Sequence, residues 1–331
     1  TQENAGGKYQ ESWVIFGQLV LISVFLFSFM VYLMFFRPRE YHNRKNTMFM
    51  LLMITLACVL TAIKIEYSLF NVYIIPFVIP TIMVRTFIDS RTAMITHLIT
   101  VMICSFMVPF PAEFLTLQIA AGFMCIFSLR DLSERSQLIK SSFFVLIAYI
   151  VVYVGYVLNK EGGLSQVKDF RFADMMQHWL MLLYFGINFI FVMFTYLLVY
   201  ICEKVFGFIS GVSMIELSNT NKPLLRKLSE EAPGTFQHSI QVSNIASAVA
   251  QKIGANAQLV RTGALYHDIG KMVNPIFFTE NQAPGINPHA GLSYKESAKI
   301  IISHVEEGVK IAHKYNLPQQ IIDFIVTHHG T

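Results

Sequence analysis

Charge is what this sequence has least of. Only 14% of its 331 residues are Asp, Glu, Lys or Arg, against roughly 25% in soluble domains. Hydrophobic residues make up 54%, and the mean hydropathy is +0.51. A net charge of +4 provides no strong basic field, so a nucleic-acid polymer is not expected as a partner. Cysteine is scarce: Cys58, Cys104, Cys125 and Cys202 all lie in apolar runs and none makes a CxxC pair. That excludes a cysteine zinc site and reads as small buried hydrophobes. An initiator Met and a basic leading segment are also missing before Thr1, which argues against a signal peptide. The sequence therefore reads as an excised piece of a longer protein.

What is abundant is long apolar runs, confined to residues before about 206. A helix needs about 20 apolar residues to cross the hydrocarbon core, and seven stretches are candidates: 13–36, 47–65, 69–84, 92–110, 114–129, 142–158 and 179–202. Pro76 and Pro80 interrupt the third. The odd connectors carry Arg37, Arg39, Arg44 and Lys45, then Arg85 and Arg91, then Arg130, Arg135 and Lys140; the even ones carry only Lys64, Lys160, Lys168 and Arg171. The positive-inside rule then makes the odd connectors cytoplasmic, with the N-terminus outside and everything after Cys202 inside. Trp13 and Trp179 fall where aromatic anchors sit at the outer boundary. The polar residues within spans, His97, Asn71, Gln118 and Asn188, suggest no ion or proton path, so the bundle reads as an anchor or sensor in a lipid bilayer.

From about residue 207 the pattern is that of a soluble all-α domain. A coupling helix is expected over 214–228, followed by a break at Glu231-Ala232-Pro233-Gly234. Thr235 is expected to cap a helix reaching Ile253, with Ile240, Val242, Ile245, Ala246 and Val249 on its buried face. Further helices are expected over 258–266, 293–315 and from Pro318 to the His328-His329 pair. The division is thus a tail at 1–12, a seven-span membrane domain at 13–206, a linker at 207–234 and a catalytic domain at 235–331.

Seven of the ten histidines lie in this last third: His238, His267, His289, His304, His313, His328 and His329. One lone His is usually structural, but this density, with His267-Asp268 adjacent and His328-His329 paired, points to a metal site. Imidazole nitrogen and carboxylate oxygen together suit Fe, Mn or Zn. In Tyr266-His267-Asp268-Ile269-Gly270-Lys271 the carboxylate has a second oxygen with which to bridge two ions, Gly270 allows a turn, and Lys271 can face a phosphate. His313 reads as a surface residue, and Glu306-Glu307 as an exposed helix face.

With His238 upstream, His267-Asp268-Ile269-Gly270-Lys271 is the H…HD pattern of the HD phosphohydrolase superfamily. Together with Phe236-Gln237-His238-Ser239, Phe278-Thr279-Glu280-Asn281-Gln282, Asn287-Pro288-His289, Ile302-Ser303-His304-Val305 and Thr327-His328-His329-Gly330-Thr331, it resembles the seven-transmembrane HD family of bacterial cyclic di-AMP phosphodiesterases (PgpH-like). The resemblance implies a polytopic seven-helix membrane domain followed by an all-helical HD domain, in a bacterial cell membrane. It implies two divalent metal ions, Fe or Mn. His238, His267 and Asp268 would hold one; Asp268 would also bridge to a second, held by His304, His328 and His329. Lys271 would contact a substrate phosphate, with His289 and Asn281 as further candidate substrate contacts. Cyclic di-AMP would be opened to linear 5′-pApA by metal-activated hydroxide, under control of an extracellular signal; a homo-oligomer is compatible with this layout.

Two departures bear on activity. Family members have a further metal-binding Asp well downstream of His-His-Gly-Thr, so the HD domain is expected to be incomplete at its C-terminus and this chain alone inactive. They also carry a large extracellular domain, of which residues 1–12 would be the tail. A cyclic di-GMP phosphodiesterase of HD-GYP type is the related alternative, but Gly330-Thr331 replaces the acidic residue and Gly-Tyr-Pro expected there. A non-catalytic nucleotide-binding membrane receptor is the alternative from another class, and the complete histidine set counts against it.

Overall fold

The computed structural model describes residues 2–67, 70–129, 136–160 and 172–330, with side chains from 13 in the first stretch and from 176 in the last. Among these residues every regular element is helical. The α-helices are α1 (Gln2–Phe36), α2 (Pro38–His42), α3 (Arg44–Tyr67), α4 (Val78–Phe87), α5 (Ser90–Ser105), α6 (Pro111–Ser128), α7 (Ser136–Lys160), α8 (Phe172–Met193) and α9 (Thr195–Phe206), then α10 (Gly211–Leu217), α11 (Pro223–Glu231), α12 (Pro233–Lys252), α13 (Ala257–Tyr266), α14 (Tyr294–Lys314) and α15 (Gln319–Thr327). The chain divides into two compact units, Thr1–Cys202 and Glu203–Thr331.

Among the described residues, five stretches are long and apolar enough to cross a membrane: Trp13–Phe36, Arg44–Tyr67, Pro111–Ser128, Ser136–Lys160 and Met176–Phe206, the last running past Cys202. The third expected span is shorter and broken. Asn71 caps a 3-10 turn at Val72–Ile74, the chain extends at Ile75, and α4 begins at Val78. Pro76 falls in this break and Pro80 in the first turn of α4, the places where a missing N–H costs least. At the break the Tyr73 and Ile75 carbonyls both accept from Asn188 Nδ2, at 3.1 and 3.0 Å. Such protein-buried satisfaction is what permits irregular backbone at membrane depth. The fourth expected span is α5, with 16 residues. It ends at Ser105 rather than 110. Asp89 caps it, accepting from the Arg91 and Thr92 amides at 2.8 and 2.9 Å and pairing with Arg37 at the end of α1.

The other polar residues singled out in the spans also tie helices together. His97 bridges Thr81 Oγ1 on α4 at 2.7 Å and the Gln118 carbonyl on α6 at 2.8 Å. Gln118 Oε1 accepts from Tyr149 Oη on α7 at 2.7 Å. The expected start of the third span at Leu69 lies outside the described residues. So do Arg130, Arg135, Lys168 and Arg171, which weigh on orientation, and Thr331.

The second unit has its own core of Leu224, Leu225, Leu228, Leu265, Tyr266, Ile269, Met272, Ala312, Leu317, Ile321, Ile322 and Ile325. Two expectations are corrected here. The single coupling helix over 214–228 is two short helices, α10 and α11, because Asn219-Thr220-Asn221-Lys222 turns the chain and Pro223 can start but not continue a helix. The buried face expected for α12 holds only in part: Ile240 packs against the core and Val242 and Ala246 are half-buried. Its buried residues are Thr235, Ser239, Ser243 and Ala250, whereas Ile245 is 67% and Val249 55% exposed. Short side chains let α12 lie close against α13, which the larger aliphatics would prevent. Thr235 is not the N-cap either: α12 starts at Pro233, and Asn281 Oδ1 accepts the Thr235 amide at 3.0 Å.

Candidate metal centre

Four helix ends and faces bring the histidines together. His238 lies in the second turn of α12. His267 ends α13, with Asp268 directly after it; His304 is on α14; His328 and His329 follow α15. The ligand atoms of His238, His267 and Asp268 lie within 4.8 Å of one another, and so do those of His304, His328 and His329. Asp268 stands between the two groups and is 2% exposed. Its Oδ2 faces the first, 3.0 Å from His267 Nε2 and 3.9 Å from His238 Nε2. Its Oδ1 faces the second, 3.4 Å from His304 Nε2 and 3.5 Å from His328 Nε2.

Three of the imidazoles are set by the same local device. Nδ1 of His267 donates to the Ala264 carbonyl at 2.7 Å, that of His328 to the Ile325 carbonyl at 2.9 Å, and that of His304 to the Ile301 carbonyl. Each bond reaches back three residues within a helical turn. With the proton on Nδ1, the Nε2 lone pair points inward, the tautomer a metal ligand needs. His304 Nε2 is 3.3 Å from His328 Nε2 and 3.2 Å from His329 Nε2, so lone pairs converge there. Asp268 Oδ1 is buried with no hydrogen-bond partner among the described residues. Aligned lone pairs and a buried carboxylate oxygen repel one another, and a cation relieves both. The donor set therefore fits divalent metal ions.

The electrostatics favour an ionised Asp268 and neutral rings at His304 and His329, and pull the other way at His328. Burial alone would raise the Asp268 carboxyl, but His267, His328 and Lys271 around it outweigh burial and hold it far below the usual carboxylate range. Burial pushes His304 down, and burial together with its histidine neighbours pushes His329 down. Both rings are thus biased towards the neutral form. At His328 burial pulls downward, but Asp268 and the Ile325 carbonyl raise the net value.

Gly270 sits beside this cluster for a reason other than a turn. Its φ is not positive; instead, a Cβ there would overlap the His304 carbonyl oxygen and crowd the Gly308 amide. The close crossing of the Ile269–Val273 turn over α14 brings Asp268 to His304. Lys271 Nζ lies 2.8 Å from Asp268 Oδ2 and 2.9 Å from Glu280 Oε1, a carboxylate not among the expected site residues. The polar atoms of the other two expected substrate contacts are engaged within the protein. Asn281 accepts from the Thr235 amide and donates to Thr235 Oγ1 at 2.8 Å. His289 bonds the Phe277 carbonyl at 2.9 Å and Ser297 Oγ at 2.6 Å, ordering its loop. His313 is exposed and stands apart from the cluster.

Comparison with known proteins places both units. Residues 12–210 match the family described as 7TM receptor with intracellular HD hydrolase, and residues 235–331 match the HD domain. Cyclic-di-AMP phosphodiesterase PgpH of Listeria monocytogenes is 38% identical over 214 residues, 64% of this chain and 28% of that protein. The protein of the same name from Bacillus subtilis is 31% identical over 330 residues, 96% of this chain and 45% of that one. The chain thus spans less than half the length of either relative. A crystal structure of the L. monocytogenes PgpH HD domain is 52% identical, covering 34% of this chain and 53% of its own, with a TM-score of 0.33.

Proposed function

We propose that this chain, which belongs to the family of 7TM receptors with an intracellular HD hydrolase domain, carries the membrane and metal-binding parts of a cyclic di-AMP phosphodiesterase. It is a multi-pass membrane protein. Its HD domain is of a divalent-metal-binding type. The observation that carries the proposal is Asp268, with one oxygen turned to each histidine group. The names of the two PgpH relatives support the substrate.

In this reading His238, His267 and Asp268 hold one cation, and Asp268, His304, His328 and His329 hold the other. Iron or manganese suits these nitrogen and oxygen donors. When bound, the metal pair supplies Lewis acidity and a water ionised near neutral pH. The residues do the rest. Asp268 fixes the separation of the two groups, the Nδ1–carbonyl bonds stop the imidazoles from turning, and Lys271 offsets negative charge on the phosphoryl oxygens. Hydrolysis opens cyclic di-AMP to linear 5′-pApA. Asn281 and His289 order the walls of the site.

The same proposal assigns residues 13–206 to seven spans, with the broken stretch 72–87 and α5 as the two beyond the five long ones. The N-terminus is outside and the HD domain, 235–331, cytoplasmic, joined through 207–234. The test is metal content together with the product formed from cyclic di-AMP by the full-length protein, with cyclic di-GMP as the competing substrate. Metal-loaded protein that leaves cyclic di-AMP intact would overturn the reading.

A further inference from the structure

Glu280 has a place in the site that the metal ligands leave unexplained. Lys271 Nζ is shared between two carboxylates, Asp268 Oδ2 at 2.8 Å and Glu280 Oε1 at 2.9 Å, and lies 5.1 Å from the Phe278 ring centre. Its side chain is only 14% exposed, so the ammonium depends on these partners in place of water. Asp268 is the shared carboxylate of both histidine groups. Cations there draw on its oxygens and repel a neighbouring ammonium. Glu280 is then the carboxylate left to hold Lys271 among its described partners.

Glu280 is itself held at a fixed point. Its Oε1 also accepts from Thr235 Oγ1 at 3.1 Å. The 3-10 turn Thr279–Asn281 is clasped to the start of α12 by the paired bonds between Asn281 and Thr235. A Cβ on Gly234 would overlap the Glu280 carbonyl oxygen, so the two backbones touch. The clasp spans Gly234-Thr235 and Glu280-Asn281 and lies one turn before His238 on the same helix. It therefore references Lys271 to a metal-ligand helix rather than to the loop alone.

We propose that Glu280 is a positioning residue: it holds the Lys271 ammonium over the metal centre, so that Lys271 meets a phosphoryl oxygen without rearranging. The role in turnover rests on the phosphodiesterase reading; the hold on Lys271 does not.

The test is a double-substitution cycle on the full-length, metal-loaded protein, using Glu280→Ala, Glu280→Gln and Lys271→Met. Glu280→Ala should lower kcat/KM for cyclic di-AMP by about 100-fold, the loss that follows from misplacing a group by an ångström. In the Lys271→Met background the same change should cost no more than about twofold, since the residue through which it acts is gone. Glu280→Gln, which keeps the shape, should retain metal and leave Lys271 more rapidly acylated by an amine-reactive activated ester, read by mass spectrometry. The proposal is overturned if the Glu280→Ala loss persists in full without Lys271, if Glu280→Gln loses metal, or if Lys271 acylation is unchanged. Should the unsubstituted protein load metal but not cleave cyclic di-AMP, the phosphodiesterase reading fails, and Lys271 acylation still decides the Glu280 claim.

Discussion

Single side chains carry the chemistry, and Asp268 carries the most. It is buried, flanked by imidazoles on both sides, and has one oxygen with no hydrogen-bond partner among the described residues. Asp268→Asn keeps the volume and removes the charge that both groups share. Metal content should fall at both groups together, with affinity reduced by roughly 100-fold or more, beyond the usual loss for an outer partner; elemental analysis of purified protein reads this directly. A pH series gives a second outcome. Each imidazole must be unprotonated to bind a cation, so affinity should fall as pH drops through the histidine range near about 6.5. The raised value at His328 makes that ring protonate earlier than the depressed His304 and His329 as acid is added. Retained metal at pH 5 would contradict this. In the sequence the His267-Asp268 and His328-His329 adjacencies pointed to a metal site, whereas His238 and His304, each a single histidine, joined the set only through the family resemblance. Glu280 was not legible, since an acidic residue in a polar loop has no signature until its lysine is seen beside it.

Helices and turns decide whether those side chains meet. The crossing of the Ile269–Val273 turn over α14 depends on Gly270, where a methyl group would collide with backbone that cannot swing aside. Gly270→Ala should destabilise the second unit by about 1–3 kcal/mol, the range for overpacking, measured by denaturant unfolding. In the first unit, Asn188 satisfies two carbonyls of the broken third span. Asn188→Leu should cost about 1–2 kcal/mol, the range for interhelical hydrogen bonds between membrane helices, seen as a lower unfolding temperature in detergent. Element boundaries were readable where local chemistry sets them. The Ser293 capping box opens α14, and Pro76 marks the break in the third span. The inward face of α12 was readable only in part: Ile240 packs on the core, but apolar periodicity also favours Ile245 and Val249 where close helix contact selected Ser239 and Ser243. Its cap was not readable, since it comes from Asn281, 46 residues downstream of Thr235.

Across the whole molecule, the boundary at Cys202 separates an apolar helical unit from one that holds all the candidate ligands. Adding manganese should raise the unfolding temperature of the second unit and leave that of the first unchanged. A ligand at 100 times its dissociation constant stabilises the folded form by roughly 2.7 kcal/mol; calorimetry with and without a chelator checks the separation. The sequence made this two-part layout plain, since long apolar runs fill one part and are missing from the other. The placement of Asp268 has a consequence for binding order. One carboxylate set against two dications leaves most of their positive charge unmatched, because the imidazoles bring none. An anionic ligand with two phosphates would offset most of that deficit. By thermodynamic reciprocity, whatever such a ligand gains from the metals it returns to them as tighter retention. The centre should therefore surrender its ions most readily after product has left.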